Sequence, residues 1–206
     1  MSDIFGDKDW FVVDDILNLQ EQNDLGKILT SNSFPWYLSE FYTVDKEEYD
    51  KFKHLPNNHD FIQMCHSFYH PDANDEDYKT NNVSHKSELA DLLIKKIARY
   101  FNKKQLEVIR CKANLQHQVT GNKKEYHNTP HIDEDGIKHW VCIYYVNDSD
   151  GDTLFFDNKK DCNITDRISP KKGRFLFFKG EKLHTGSHPV KSPIRVVINI
   201  DFYYDR

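Results

Sequence analysis

The stretch KHWVCIYYVNDSDGDTLFFD, residues 138–157, predicts two β-strands and the turn between them. Valine, isoleucine and aromatic residues, which favour strands, are frequent in Lys138–Asn147 and Thr153–Asp157. Asn147–Gly151 between these runs consists of turn-forming residues. Further strand-like runs lie on either side of this unit, at Leu106–Val119, Gly173–Phe178, Lys182–Thr185 and Arg195–Tyr204. Many short strands without intervening helices predict an antiparallel jelly roll or barrel.

The N-terminal half predicts helices and strands that pack outside this β core. After a short strand at Phe11–Val13, we expect Asp14 and Asp15 to cap an amphipathic helix that reaches Ile28. A second helix is expected from Ser84 to Phe101, where apolar residues recur at helical spacing. The remaining segments predict strands at Trp36–Thr43 and Phe61–Tyr69 and surface loops at Asp45–Asn58 and Asp72–Asn82, the second loop being either a lid or a plain solvated segment.

Composition and charge exclude several classes of protein. The net charge of −5 gives no electrostatic reason to expect nucleic acid or an anionic membrane as a partner. No apolar run approaches the length of a membrane span, and Met1–Asp3 lacks the basic and apolar regions of a signal peptide, so we expect a cytoplasmic protein. The four cysteines form no CxxC pair, which favours reduced thiols over a zinc site.

His131 and Asp133 form the first part of a candidate metal site. Residues two apart in a strand point to the same side, so these two side chains can bind one ion. His184, which follows a strand and a tight turn, is the preferred third ligand, and His188 in the turn-like segment beyond it is the alternative. Two histidines and one carboxylate leave coordination positions open, as in non-haem Fe(II) oxygenases.

Arg195 begins the last predicted strand and adds a cation to this site. Alternation along the strand puts Val196, Ile198 and Ile200 on one face, which suits a packed core. The other face carries Arg195, Val197 and Asn199, which suits the lining of a pocket. A planar guanidinium matches a carboxylate in shape and charge.

These residues resemble a known family, the 2-oxoglutarate/Fe(II)-dependent dioxygenases, through the order His131-Ile132-Asp133, His184 and Arg195. Cys142–Asn147 followed by Gly151–Phe156 is similar to the prolyl-4-hydroxylase-type branch, and the whole chain looks like the small oxygenases encoded by tailed phages. The resemblance implies a mainly β double-stranded β-helix, or jelly roll, with flanking N-terminal α-helices. We expect a single oxygenase domain over 1–206, with 1–105 as a helix-and-strand support region and 106–206 as the metal-bearing half.

The resemblance also implies roles for individual residues. His131, Asp133 and His184 would bind Fe(II). Arg195 would hold the distal carboxylate of 2-oxoglutarate, with the Tyr145 hydroxyl as a second donor. Tyr145 suits this role because a buried phenol needs a partner, although it is also a candidate core tyrosine bonded to backbone. Leu154 and Asn199 fall where the family lines the cosubstrate pocket. The remaining implied cosubstrate is O2, with ascorbate as an accessory reductant.

The implied reaction converts 2-oxoglutarate to succinate and CO2 while a substrate C–H bond is hydroxylated. Relatives that halogenate replace the carboxylate at the position of Asp133, so its presence favours hydroxylation. Peptidyl proline is the first substrate hypothesis, by analogy with the branch, and small molecules such as amino acids or nucleotides are the alternative. Lysines flank the metal-bearing segments and indicate either an acidic substrate or an ordinary charged surface, at Lys123, Lys124, Lys182 and Lys191.

Two other classes of protein compete with an oxygenase. A jelly-roll binding module would keep the fold without turnover, but it has no physical reason to retain two histidines, the carboxylate and Arg195 together. A cupin-like metalloenzyme that does not use 2-oxoglutarate would have little use for Arg195 and Tyr145 facing the pocket.

Overall fold

The computed structural model describes residues 9–39, 44, 46–69, 84–121, 123–134 and 136–203. The helices of these residues are α1 (Leu19–Leu29), α2 (Lys46–Phe52) and α3 (Ser87–Tyr100). The strands are β1 (Trp10–Val13), β2 (Tyr37–Leu38), β3 (Met64–Tyr69), β4 (Val108–His117), β5 (His139–Tyr145), β6 (Thr153–Phe156), β7 (Ile164–Ile168), β8 (Phe175–Lys179), β9 (His184–Gly186) and β10 (Ile194–Tyr203).

The strands form two antiparallel sheets. The large sheet has seven strands in the order β1-β8-β5-β10-β4-β3-β2, and the small sheet has three in the order β7-β6-β9. Side chains of the two sheets pack against each other, with Ile143, Leu176 and Val197 of the large sheet contacting Phe155 and Ile168 of the small one. This arrangement confirms the predicted jelly roll.

The main apolar core lies on the other face of the large sheet, under the helices. Leu25 of α1 and Leu93 of α3 are fully buried against Cys142 and Ile198 of the central strands. Burying each such leucine contributes roughly 1.5–3 kcal/mol to folding. The two helices therefore cover one face of the large sheet. Its other face, which is turned towards the small sheet, is left to form a pocket.

Strand β6 divides its side chains between the inside and the outside of the jelly roll. Phe155 packs between the sheets, whereas Leu154 and Phe156 pack with Phe52 of α2 on the outer face of the small sheet. Because neighbouring side chains of a strand point to opposite faces, Thr153 shares the inner face with Phe155.

The start of α1 differs from the sequence prediction. Asn18 is the N-cap: its side chain accepts a hydrogen bond from the Glu21 backbone N–H at 3.0 Å, and the Glu21 carboxylate accepts one from the Asn18 backbone N–H at 2.9 Å. The prediction that Asp14 and Asp15 cap this helix was wrong. Asp14 instead accepts a hydrogen bond from Arg174 at 2.9 Å.

Two elements were not predicted. Helix α2 lies inside the expected loop Asp45–Asn58, where a largely charged sequence concealed it. Strand β7 carries only two apolar residues, Ile164 and Ile168, on a half-exposed edge of the small sheet. The candidate lid Asp72–Asn82 lies outside the described residues. None of the described helices is long and apolar enough to cross a membrane.

Candidate metal centre and pocket

The structure brings His131, Asp133 and His184 together at the edge of the small sheet. One nitrogen or oxygen atom of each side chain lies within 4.8 Å of the other two. The backbones of the two histidines form an antiparallel bridge, because His131 N–H donates to the His184 carbonyl at 2.9 Å and His184 N–H donates to the His131 carbonyl at 3.0 Å. This bridge holds the two imidazoles side by side, with ring centroids 4.7 Å apart.

Backbone contacts fix which nitrogen of each histidine faces the cluster. Nδ1 of His131 lies 3.0 Å from the Thr129 carbonyl, and Nδ1 of His184 lies 3.0 Å from the Lys182 carbonyl. A carbonyl only accepts, so each Nδ1 carries the proton and each Nε2 keeps a free lone pair. Burial and the nearby His184 lower the pKa of His131 to about 4, so this imidazole is neutral at pH 7, the form that binds metals.

Asp133 supplies the anionic member of the cluster. Its Oδ1 accepts a hydrogen bond from Arg110 at 2.6 Å, and its Oδ2 lies 3.4 Å from His184 Nε2. Burial opposes ionisation of Asp133, but the charge of Arg110 lowers its pKa well below the usual range. Among the described residues, Oδ2 has no hydrogen-bond partner. An ionised carboxylate with a free oxygen beside two unprotonated imidazole nitrogens fits a divalent iron.

Arg110 was not predicted as part of the site, although it lies between Ile109 and Cys111 at the start of the alternating polar and apolar pattern of β4. Its Nε donates to Oδ2 of the fully buried Asp201 at 2.8 Å while its Nη2 binds Asp133. Burial disfavours the Arg110 charge, but Asp133 and Asp201 raise its pKa above the ordinary value. The pairing fixes the rotation of the Asp133 carboxylate and leaves its second oxygen without a hydrogen bond from a described residue.

Arg195 lies on β10, away from the three candidate metal ligands, and donates hydrogen bonds to three neutral acceptors. Its guanidinium donates from Nε to the Gly151 carbonyl at 2.8 Å, from Nη1 to Gln116 Oε1 at 2.8 Å and from Nη2 to Thr153 Oγ1 at 2.9 Å. No carboxylate of a described residue forms an ion pair with this buried side chain. A buried cation without a counter-ion is costly, so the position suits the carboxylate of a ligand.

Two glycines make room for this arginine. A Cβ on Gly151 would lie 2.5 Å from the Ser187 carbonyl oxygen and 3.0 Å from Arg195 Cδ. A Cβ on Gly186 would lie 3.2 Å from Arg195 Nη1. The close approach of the Ser187 backbone and the Arg195 side chain therefore explains the glycine in the turn before β6.

Tyr145 contacts Thr153 and Arg195 from a position outside the pocket lining. Its hydroxyl donates to Thr153 Oγ1 at 2.7 Å, and Arg195 Cζ lies 5.9 Å from the centroid of its ring. Burial raises the pKa of Tyr145 to about 12, so it stays protonated. Tyr145 does not line the pocket, whereas Thr153 does. Since Thr153 Oγ1 already accepts from Tyr145 and Arg195, its own proton is available to a ligand.

A polar cavity of about 440 Å³ connects His131, Asp133 and His184 to Arg195. Asn199 and Val197 line it, while Val196, Ile198 and Ile200 pack into the core under the helices, as alternation along β10 predicted. Leu154, expected at the pocket, is corrected by the structure: it points out of the jelly roll, and Thr153 takes the inward position.

Several other candidates lie away from this cavity. His188 does not join the cluster, because its Nδ1 lies 2.9 Å from the His117 carbonyl and its ring contacts Phe61. The four flanking lysines suggested by the sequence also stay outside the lining: Lys123, Lys124, Lys182 and Lys191.

Comparison with known families agrees with this geometry. The sequence profile of the 2OG-Fe(II) oxygenase superfamily, where 2OG is 2-oxoglutarate, matches residues 115–203. That range includes the candidate ligands His131, Asp133 and His184, together with Tyr145 and Arg195. No curated protein matches the sequence.

Solved structures of two prolyl hydroxylases and of an epimerase share the fold. A prolyl hydroxylase from Trichoplax adhaerens, in complex with a peptide of hypoxia inducible factor, is 13% identical, with coverage of 95% of this chain and 83% of that one and a TM-score of 0.55. A Pseudomonas putida prolyl-4-hydroxylase is 13% identical, with 94% and 91% coverage and a TM-score of 0.53. The epimerase SnoN in complex with Fe3+, alpha ketoglutarate and nogalamycin RO is 10% identical, with 95% and 78% coverage and a TM-score of 0.54.

Proposed function

We propose that this chain, which through residues 115–203 belongs to the 2OG-Fe(II) oxygenase superfamily and is a 2OG-dependent dioxygenase, hydroxylates a C–H bond of its substrate. The reaction would consume substrate, 2-oxoglutarate and O2 and release the hydroxylated product, succinate and CO2. Fe(II) is the metal and 2-oxoglutarate the cosubstrate of this superfamily.

In this proposal His131, Asp133 and His184 hold the metal. The observation that carries it is the backbone bridge between the two histidines, with both Nδ1 atoms bound to carbonyls and Asp133 Oδ2 unpartnered. Bound Fe(II) supplies the activation of O2 that is coupled to decarboxylation of 2-oxoglutarate. Three protein ligands would leave the remaining coordination positions of the metal to the cosubstrates.

Arg195 would bind the distal carboxylate of 2-oxoglutarate. It already uses three of its five N–H donors on neutral groups, which fixes the plane of the guanidinium. Thr153 would add its hydroxyl proton, and Tyr145 would hold Thr153 in place. Asn199, on the same face as Arg195, would line the same pocket.

For the substrate, peptidyl proline stays the first hypothesis because the sequence resembles the prolyl-hydroxylase branch. Neighbours of the same fold also include an epimerase that binds a small molecule, so a small-molecule substrate is the second candidate. We further propose that 1–206 act as one oxygenase domain, because β1–β3 of the N-terminal half belong to the same sheet as β4 and β10. The cytoplasm stays the expected location.

Succinate formation tests the proposed function directly. We expect the Fe(II)-loaded protein to convert 2-oxoglutarate to succinate slowly without substrate, measured by NMR or a coupled assay. His131→Ala should reduce this conversion at least about a hundredfold, because the metal loses a ligand. His188→Ala is the matched control and should retain it. Absence of conversion in the wild type, or full conversion in His131→Ala, would refute the proposal.

A further inference from the structure

The wall of the pocket formed by β4 is entirely polar. Its inward side chains alternate along the strand, at Arg110, Lys112, Asn114 and Gln116, and all of them line the cavity. Gln116 is committed to Arg195, and Arg110 is committed to Asp133 and Asp201. Lys112 and Asn114 therefore remain for another molecule in the pocket.

Lys112 carries a positive charge that the described protein does not neutralise. The nearby carboxylates of Asp133 and Asp201 both pair with Arg110, and no described residue forms a hydrogen bond or an ion pair with Lys112 Nζ. The side chain is partly buried, and burial lowers its pKa below the ordinary value. An ammonium group that has lost part of its water is stabilised by an anionic partner.

The carboxamides of the pocket indicate that such a ligand also carries hydrogen-bond donors beside its anionic group. Asn199 is the β10 residue directly opposite Lys112, and its Oδ1 is buried without a hydrogen-bond partner among the described residues. Asn114 Oδ1 and both polar atoms of the Asn128 side chain are in the same state. Each unsatisfied buried polar group costs about 1–3 kcal/mol, which a polar ligand recovers.

The described lining of the cavity has more cationic than anionic side chains, the anionic ones being Asp133 and Glu134, and little apolar surface. Lys51 of α2 and Lys159 of the β6–β7 segment line it, in addition to Lys112. Among the described residues, the apolar lining is limited to Val44, Ile132, Ile143 and Val197. A neutral prolyl ring would leave the ammonium and the carboxamides without partners.

We propose that the substrate carries an anionic group, a carboxylate or a phosphate, and that Lys112 binds this group while Asn114 and Asn199 hydrogen-bond the adjacent polar atoms. The inference rests on the proposed function, since it assigns the space beside the metal and 2-oxoglutarate sites to substrate. Arg195 holds the cosubstrate carboxylate, so Lys112 selects the second molecule. Lys112 would thus determine substrate specificity. The sequence analysis did not identify it, because it considered only the lysines that flank the metal-bearing segments.

Matched pairs of small molecules test the proposal on protein loaded with Mn(II) and 2-oxoglutarate, by ligand-observed NMR or calorimetry. N-acetyl-L-proline against its amide tests a carboxylate, and adenosine 5′-monophosphate against adenosine tests a phosphate. We expect the anionic member of at least one pair to bind about tenfold more tightly or better, as a charge-assisted contact predicts. The pair that shows the preference identifies the source of the anion.

Lys112→Met, which keeps the length of the side chain, should reduce this ratio to about one. Lys95→Met, at an exposed position of α3 on the far side of the large sheet, should retain it. Absence of a preference in wild type, or its persistence in Lys112→Met, overturns the proposal. So does a loss of 2-oxoglutarate affinity in Lys112→Met as large as that in Arg195→Ala, since Lys112 would then bind the cosubstrate. Succinate formation by wild type, which needs no substrate, tests the proposed function separately.

Discussion

Single hydrogen bonds determine the chemistry of the two candidate histidine ligands. Each donates Nδ1–H to a carbonyl two residues away along the chain, Thr129 for His131 and Lys182 for His184. This local contact selects the tautomer before any metal arrives, so binding requires neither a tautomer change nor rotation of the ring.

Arg195 gives the first prediction at this scale. We expect Arg195→Ala to weaken binding of 2-oxoglutarate to the Mn(II)-loaded protein roughly tenfold to a hundredfold, because a charge-assisted contact is lost. Calorimetric titration measures this effect. Arg99→Ala on the exposed face of α3 is the control and should bind as wild type. Unchanged affinity in Arg195→Ala would remove this residue from the cosubstrate site.

Alternation along strands explains which residues the sequence could assign to the pocket. Arg195, Val197 and Asn199 follow the predicted face of β10, because the strand is regular there and its pattern is clear. Leu154 was assigned by resemblance, and it fails by one position: its neighbour Thr153 points inward. A shift of one residue moves a side chain to the other face of a sheet.

At the scale of elements, the N-terminal strand β1 is the edge strand of the large sheet, next to β8. Asp14 follows this strand and accepts hydrogen bonds from Arg174 at 2.9 Å and from Lys171 at 2.8 Å. These contacts connect the first strand to the segment that leads into β8. Asp14, which was expected to cap a helix, therefore connects the edge strand β1 to the segment before β8.

The pH dependence of stability tests this connection. The hydrogen bond from Arg174 lowers the pKa of Asp14 from 3.8 to about 2. A carboxyl group with a lowered folded pKa stabilises the protein above its unfolded pKa, and this contribution disappears as the pH falls from about 4 towards 2. After allowance for solvent screening we expect roughly 1 kcal/mol.

Urea unfolding of wild type and Asp14→Asn at several pH values measures this contribution. The difference in unfolding free energy should be full at pH 6 and should shrink as the pH approaches 3. Asp24→Asn is the control, because this exposed carboxylate of α1 accepts from Gln20 and not from Arg174. A difference that is constant over this range would show that the Asp14 charge does not stabilise the fold.

At the scale of the whole molecule, the site spans both sheets. His184 belongs to the small sheet and Arg195 to the large one, while Arg110 of the large sheet holds Asp133. A metal and a cosubstrate that contact all of these groups bind only the folded chain, so they should stabilise the two sheets together.

Thermal unfolding measures this stabilisation. With Mn(II) and 2-oxoglutarate at about one hundred times their dissociation constants, we expect roughly 2.7 kcal/mol of added stability from each. For a chain of this size each such contribution corresponds to a rise of roughly 5–10 °C in Tm. EDTA should reverse the metal-dependent part. His131→Ala should show no metal-dependent rise, and an equal rise in that variant would place the metal elsewhere.

The sequence by itself determined the β-rich core, the identities of two histidines, a carboxylate and an arginine, and the face of β10 that carries the arginine. These features follow from period-two patterns and short-range spacing, which a chain expresses locally. The superfamily assignment of residues 115–203 confirms the resemblance drawn from the same residues.

Only the tertiary structure decided which residues meet. It brought His184 rather than His188 to His131 and Asp133, supplied Arg110 as the partner of Asp133, and placed Lys112 opposite Asn199. The first two contacts join segments distant along the chain, and the third depends on the register of β4 against β10. Strand order and register are set by long-range packing of two sheets, and a local pattern does not contain that information.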